Sequence, residues 1–217
     1  MSGEAQPAVS SLRYNLYNMN IFLRRFHVIA GFIWLGHLYF FNLVNVPFQN
    51  SLNDAEKTLV NAKLLPRVLW WFRWGAMFTV LAGLALFTTT YMYVPGEGFG
   101  PSSLFVGAQG MTDRAVWILF GMALAGVMWF NVRMVIWPAQ KKMLRGTASE
   151  EELPRLRRRA YLASRTNAYL SAPMLFSTLA PGHFGAFTLK TWLSACLGGV
   201  VFIWLLLKTS SFVGSKV

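Results

Sequence analysis

The sequence predicts an all-α, polytopic membrane helical bundle of about five transmembrane helices, and three observations lead there. The 217 residues are 55% hydrophobic and 16% aromatic, with only 13% charged, whereas about a quarter of a soluble domain is charged. Uncharged runs, the first beginning after Arg25, reach the roughly twenty residues that an α-helix needs to cross about 30 Å of hydrocarbon. The segments between those runs are hydrophilic, rich in Gly and Pro, or strongly basic.

Residues 1 to 20 are polar and show no apolar stretch followed by a small-residue cleavage site, so no removable signal peptide is expected. A short interfacial helix around Arg13 to Met19 leads into the first span, residues 21–46. Within that span His27, Gly31 and Trp34 follow helical spacing and share a face. His37 lies about 15 Å further along the axis, so one small ligand does not reach both histidines. Gly31 either leaves room for a flat group or marks a close helix–helix contact.

The segment from Gln49 to Pro66 is hydrophilic, and Asn53 or Asp54 is placed to cap a short helix there. The second span, 68–94, opens with Trp70, Trp71, Phe72 and Trp74, an interfacial aromatic belt. Arg73 among them either snorkels against its Trp neighbours or contacts an anion. Pro95 to Asp113 reads as an irregular loop, with Thr112 or Asp113 capping the third span, 115–137, which Pro138 ends. Asn131 and Arg133 lie near its far end, where Arg133 reads as an interfacial anchor.

The loop 141–165 concentrates basic residues and is assigned to the cytoplasm by the positive-inside rule. The run Arg155 to Arg159 then meets anionic headgroups. A fourth span at 160–180 carries Arg165, Asn167 and Pro173, so it must pack inside the bundle or line a cavity. After a turn at Pro181 to Gly185 the last span occupies 189–208. Residues 1–217 are read as one membrane domain with the N-terminus outside and the C-terminus inside, although Arg24 and Arg25 run against that orientation.

Composition also removes functions. The net charge of +12 is first a topology signal, and no nucleic-acid partner is expected. The single cysteine, Cys196, excludes a disulfide within the chain, a Cys-rich metal site and covalent haem c attachment. No Asp or Glu falls inside a predicted span, which argues against a proton-coupled transporter. Catalytic triad, H-E-x-x-H, Walker and G-x-G-x-x-G patterns are missing. Histidines remain. Under the predicted topology His27 lies in the outer third of the first span and His183 just beyond the outer end of the fourth. Two imidazoles at a common level are what axial ligation of haem b requires. Three unrelated hydrogen-bonded histidines are the alternative. Metal ligation by His27, His37 and His183 together fails on depth.

Four blocks, LRRFHVIAGFIWLGHLYFFN (Leu23 to Asn42), LPRVLWWFRWGAMFTVLAG (Leu65 to Gly83), WFNVRMVIWPAQKKM (Trp129 to Met143) and SRTNAYLSAPMLFSTLAPGHF (Ser164 to Phe184), resemble in order the urate oxidase N-terminal domain, the membrane domain of bacterial membrane-bound urate hydroxylases. The resemblance implies urate oxidation with electrons passed to the respiratory chain, and in that family a cytochrome c domain follows. Here no haem c motif is present, so the electron exit is expected to lie on another polypeptide or to be missing. Trp70 and Gly75 stand where the family tends to have His and Glu, which weakens the case for urate turnover. His27, Arg73, Arg165, Asn167 and His183 match the family pattern; His37 is not carried over.

The combined expectation is a haem b-binding electron-transfer subunit of the bacterial inner membrane, with His27 and His183 as axial ligands. Arg73, Arg165 and Asn167 are the expected propionate or anion contacts. Two alternatives stay open: a cofactor-free structural subunit of a larger respiratory or photosynthetic complex, and urate oxidation with a separate cytochrome partner. Membrane lipid and further membrane subunits, or that cytochrome, are the expected partners.

Overall fold

Five helical rods account for the architecture of the computed structural model, which describes the backbone of residues 5–213 and the side chains of residues 10–213. The first rod joins α1 (Ala5–Tyr39), a π-helical turn (Phe40–Asn45) and α2 (Val46–Ser51). The second is α3 (Asp54–Tyr91). The third joins α4 (Asp113–Phe130), a second π-helical turn (Asn131–Ile136) and α5 (Trp137–Leu144). The fourth is α6 (Glu152–Leu179), closed by a 3-10 turn (Ala180–Gly182), and the fifth is α7 (Leu189–Thr209). The all-α class is as the sequence predicts. Four rods are long and apolar enough to cross a membrane: Ser10–Ser51, Asp54–Tyr91, Asp113–Leu144 and Leu189–Thr209.

The prolines behave differently from their sequence reading. Pro138 does not end the third rod, and Pro66 does not separate a short helix from the second. Asn53 does cap α3: its side chain accepts from the Glu56 amide at 3.0 Å, while its own amide donates to Glu56 Oε2 at 2.8 Å. This reciprocal box starts a helix that then runs unbroken through Pro66 to Tyr91. Pro47 and Pro138 each stand second in the helix that follows a π-helical turn. The wider turn accommodates a residue with no N–H and a ring that would otherwise meet the preceding carbonyl, so the rod continues. The interfacial helix expected near Arg13 is likewise continuous with α1.

The connection between the second and third rods is more regular than expected. It holds two small antiparallel hairpins, β1 (Tyr93–Val94) with β2 (Gly98–Phe99), and β3 (Val106–Gly107) with β4 (Gly110–Met111). Pro95 and Gly96 supply the first bend: Gly96 has φ of 96°, which the absence of a Cβ allows, and the Glu97 amide bonds the Val94 carbonyl at 3.0 Å. Thr112 caps α4 by accepting from the Ala115 amide at 3.1 Å.

Lipid tails are as apolar as leucine, so rods in a bilayer are held by close packing and hydrogen bonds rather than by expulsion from water. Small residues mark the crossings. A Cβ on Gly75 would lie 2.9 Å from Ile33 Cγ2 and 3.0 Å from the Trp34 amide nitrogen, which fixes how closely α1 meets α3. A Cβ on Gly121 would lie 2.5 Å from Thr178 Cγ2, and one on Gly199 2.9 Å from the Ala172 Cβ, setting α4 and α7 against α6. Trp34, Leu38, Phe72, Met128, Val132 and Met174 fill the space between the rods. These crossings are antiparallel throughout, so the start of α1 and the end of α7 lie at opposite ends of the bundle.

α6 is the polar rod at the centre. Asn167, Ser171 and Ser177 are fully buried, and each bonds within or between helices. Asn42, from the first π-helical turn, donates to Ser164 Oγ at 2.9 Å; Asn131, from the second, donates to Asn167 Oδ1 at 2.8 Å. Tyr39 meets Ser171 at 2.8 Å, and the Trp192 indole donates to Ser177 at 2.9 Å. The polar face that made this segment hard to read as a span is thus turned onto three neighbouring rods.

Candidate functional site

The seam between α1 and α3 holds the first predicted ligand. His27 Nδ1 lies 2.9 Å from the Thr79 carbonyl, and because a carbonyl only accepts, Nδ1 carries the proton. Thr79 is itself anchored, its hydroxyl donating to the Gly75 carbonyl at 2.7 Å. One turn further along, Gly83 receives the imidazole: a Cβ there would stand 3.0 Å from His27 Cε1. Gly75, Thr79 and Gly83 follow at intervals of four residues, a shallow track on α3 against which the His27 face of α1 lies. Gly31 meets the same track, where a Cβ would reach Thr79 Cγ2 at 3.9 Å. Of its two sequence readings, the close helix contact describes what is there.

The arrangement has a chemical consequence. A carbonyl holding Nδ1–H selects one imidazole tautomer and leaves Nε2 as the nitrogen with a lone pair, the setting in which ligating histidines are usually found. His183 has other surroundings. It caps the 3-10 turn beyond α6, its amide bonding the Ala180 carbonyl at 2.9 Å, and the residue is exposed. Its neighbour Phe184 packs on Trp117 and Phe176, which ties this turn to α4. The two histidines therefore belong to separate seams. His37 Nδ1 lies 2.6 Å from the Ile33 carbonyl of its own helix, and the residue lines a groove of about 520 Å³ with Phe32, Gly36 and Phe40. A second groove of about 290 Å³ runs beside Phe26 and Ala82. Neither groove is lined by His27 or His183. Among the described residues no group of three or more His, Cys, Asp or Glu gathers as a metal site.

The predicted anion contacts also occupy three different places. Arg73 stacks on Trp137 of the third rod, 3.9 Å from the ring centroid. Arg165 folds back along α6, donating to the Tyr161 hydroxyl at 3.0 Å and lying over that ring. Asn167 is fully buried, accepting from Asn131 and donating to the Met128 carbonyl at 2.9 Å. Toward a b-type haem, His27 has the donor chemistry of an iron ligand and His183 is an exposed imidazole with no side-chain hydrogen bond among the described residues, but the two stand on separate seams and neither groove is lined by them.

Sequence reasoning missed the paired asparagines of the π-helical turns. Asn42 inside an uncharged run, and Asn131 near the end of another, each precede a proline by a few residues. A side-chain amide in an apolar stretch needs an interhelical partner, and a nearby proline favours a disturbed turn, so the two signals together point to such a clamp.

A family model described as urate oxidase N-terminal matches residues 102–212, just over half of the chain. The match runs from the hairpin region through α4 and α6 to the residues beyond α7, taking in Arg133, Arg165, Asn167 and His183 while leaving His27 and Arg73 outside it. No curated protein matches the chain, and no solved structure does.

Proposed function

The chain belongs to the urate oxidase N-terminal family, and from that premise we propose that it is the haem b-binding, electron-transferring membrane part of a urate hydroxylase-like oxidoreductase. The observation that carries the proposal is the bond from His27 Nδ1 to the Thr79 carbonyl. It supports the reading because it orients an intramembrane imidazole and, in the neutral ring, leaves the lone pair on Nε2, and such a residue in a span is a functional candidate by default. His27 and His183 are the residues that would hold the haem iron, and Arg73, Arg165 and Asn167 those that would surround its anionic groups. When bound, haem b supplies one-electron chemistry at its iron. The chain's own part is to hold the Cε1–Nδ1 edge of the His27 ring against Gly83, to keep its tautomer, and to exclude water with the packed α1 and α3 faces. A separate cytochrome or a partner membrane subunit, in a bacterial inner membrane, would be the electron acceptor.

A reduced-minus-oxidised spectrum of the purified protein tests this. A b-type band is expected, lost in His27→Ala and in His183→Ala but kept in His37→Ala. No band in the wild-type protein would remove the proposal. One observation favours a second reading, a cofactor-free structural subunit: the His27 ring is hydrogen-bonded across a helix seam and seated on a glycine, as a packing clamp would be. Under that reading no band appears and His27→Ala loosens α1 from α3. Urate turnover is assayed separately, by urate consumption in membranes supplied with a cytochrome partner.

A further inference from the structure

Among the described residues Arg73 and Arg133 are two cations that form no ion pair. The Arg73 guanidinium lies over Trp137 at 3.9 Å and also near Trp74 at 5.5 Å. Arg133 precedes Trp137 by about one turn on the third rod, inside the π-helical segment, and its charge is near enough to repel that of Arg73. Arg73 Nε is buried and has no hydrogen-bond partner.

Each of these features is unfavourable alone. An unpartnered buried donor loses its hydration with nothing in return, and like charges at the edge of hydrocarbon raise one another's energy. An oxyanion between the two guanidinia would relieve both. Stacking uses the face of a guanidinium and leaves its in-plane N–H groups directed outward, the geometry that recognises phosphate and carboxylate oxygens. The chain itself supplies no such anion here, since its acidic residues all lie outside the apolar runs.

Position narrows the source. Lys141 and Lys142 follow Arg133 by about two turns, at the end of the bundle where α5 stops. Arg73 is about 9 Å along α3 from Arg67, with Trp70 and Trp71 exposed between them. Aromatic belts with flanking cations mark the level where lipid phosphates meet the tails, and basic pockets between transmembrane helices at such a level take acidic headgroups. We infer that Arg73 and Arg133, braced by Trp137, form a phosphate-binding site occupied by an acidic phospholipid wedged between α3 and the third rod. The site shares Arg73 with the proposed surroundings of the haem, and lipid binding and the visible spectrum are read independently, so failure of one is distinguishable from failure of the other.

Native mass spectrometry of the full, delipidated chain tests it with three probes: phosphatidylglycerol, phosphatidylcholine and inorganic phosphate. Phosphatidylglycerol is expected to bind about tenfold more tightly than phosphatidylcholine, and Arg133→Gln to lose about that factor, as for one charge-assisted contact. Arg165→Gln, whose guanidinium already bonds Tyr161, is expected to bind like wild type. Arg133→Gln is the primary variant because that side chain is only half-buried and its loss leaves the Arg73 stack in place. Undiminished phosphatidylglycerol binding by Arg133→Gln would overturn the site. Binding of inorganic phosphate with no preference between the lipids would overturn the lipid assignment and leave a soluble anion as the occupant.

Discussion

Asn131 donates to Asn167 Oδ1 at 2.8 Å, and Asn167 in turn donates to the Met128 carbonyl at 2.9 Å, so one buried amide joins the start of the disturbed turn, and the α4 residue just before it, to α6. The π-helical segment Asn131–Ile136 disturbs the regular backbone pairing, and a side chain from a neighbouring rod reaches the carbonyl at its edge. Asn42 performs the corresponding service in the first rod through Ser164. α6 is thereby fastened at two positions one turn apart, Ser164 and Asn167.

Asn167→Leu is expected to destabilise the bundle by about 1–2 kcal/mol, since interhelical hydrogen bonds in membranes lie at or below that range and a partner amide is left unpaired. Thermal unfolding in detergent measures it. Adding Asn131→Leu should cost less than its single-variant effect, because the shared bond is already gone. Strict additivity would show that the two amides do not act as a pair.

Gly121→Ala and Gly126→Ala should part company. At Gly121 the added methyl meets Thr178 Cγ2 at 2.5 Å and the Thr178 amide nitrogen at 3.0 Å, so α4 and α6 must separate, at about 1–3 kcal/mol. At Gly126 nothing lies within 4 Å of the added carbon, and the better helix propensity of alanine should stabilise by up to about 1 kcal/mol. Equal unfolding temperatures for the two variants would contradict the packing described for this crossing.

Gly83→Ala probes His27 without touching it. The new Cβ would stand 3.0 Å from His27 Cε1 and 3.4 Å from Nδ1, so the ring must shift and its 2.9 Å bond to Thr79 must stretch. If His27 ligates haem, the variant's b-type band should weaken or move in the reduced-minus-oxidised spectrum while all three histidines remain. An unchanged band would separate His27 from the cofactor.

The Lys142–Glu152 pair gives a pH dependence outside the spans. Lys142 donates to both Glu152 oxygens at 2.7 Å, and with help from the Ser149 amide this holds the Glu152 carboxyl below its ordinary range. A depressed folded value means that the contribution is complete above the unfolded glutamate value of about 4.3 and fades as pH falls through the lower folded one. Unfolding temperatures of wild type and Glu152→Gln should therefore differ slightly at neutral pH and converge in strong acid. The pair is exposed, so added salt should also shrink the difference.

Much of this molecule was legible before any coordinates, and for physical reasons particular to each element. The caps were narrowed to Asn53 or Asp54 and to Thr112 or Asp113 because a side-chain oxygen three residues ahead of a free amide is a local relation, and the structure selects Asn53 and Thr112. His27, Gly31 and Trp34 were placed on one face by periodicity alone. Pro138 was misread because a proline's local effect is to break a helix; the π-helical turn that absorbs it is sustained by Asn131 reaching Asn167 on a rod distant in sequence. The pairing of Arg73 with Arg133 was equally out of reach, since it depends on where Trp137 falls after that same turn.

By itself the sequence determined the all-α class, the apolar rods and their order, the chemical groups on offer and the family, since hydropathy, spacing and composition are properties of consecutive residues. Only the tertiary structure decided that α6 turns its polar face inward, that His27 leans on Thr79 and Gly83, and that Arg73 of α3 stacks on Trp137 of the third rod. Those relations depend on the distance and rotation between rods, which small residues such as Gly75 and Gly121 set through contacts that no local stretch of chain contains.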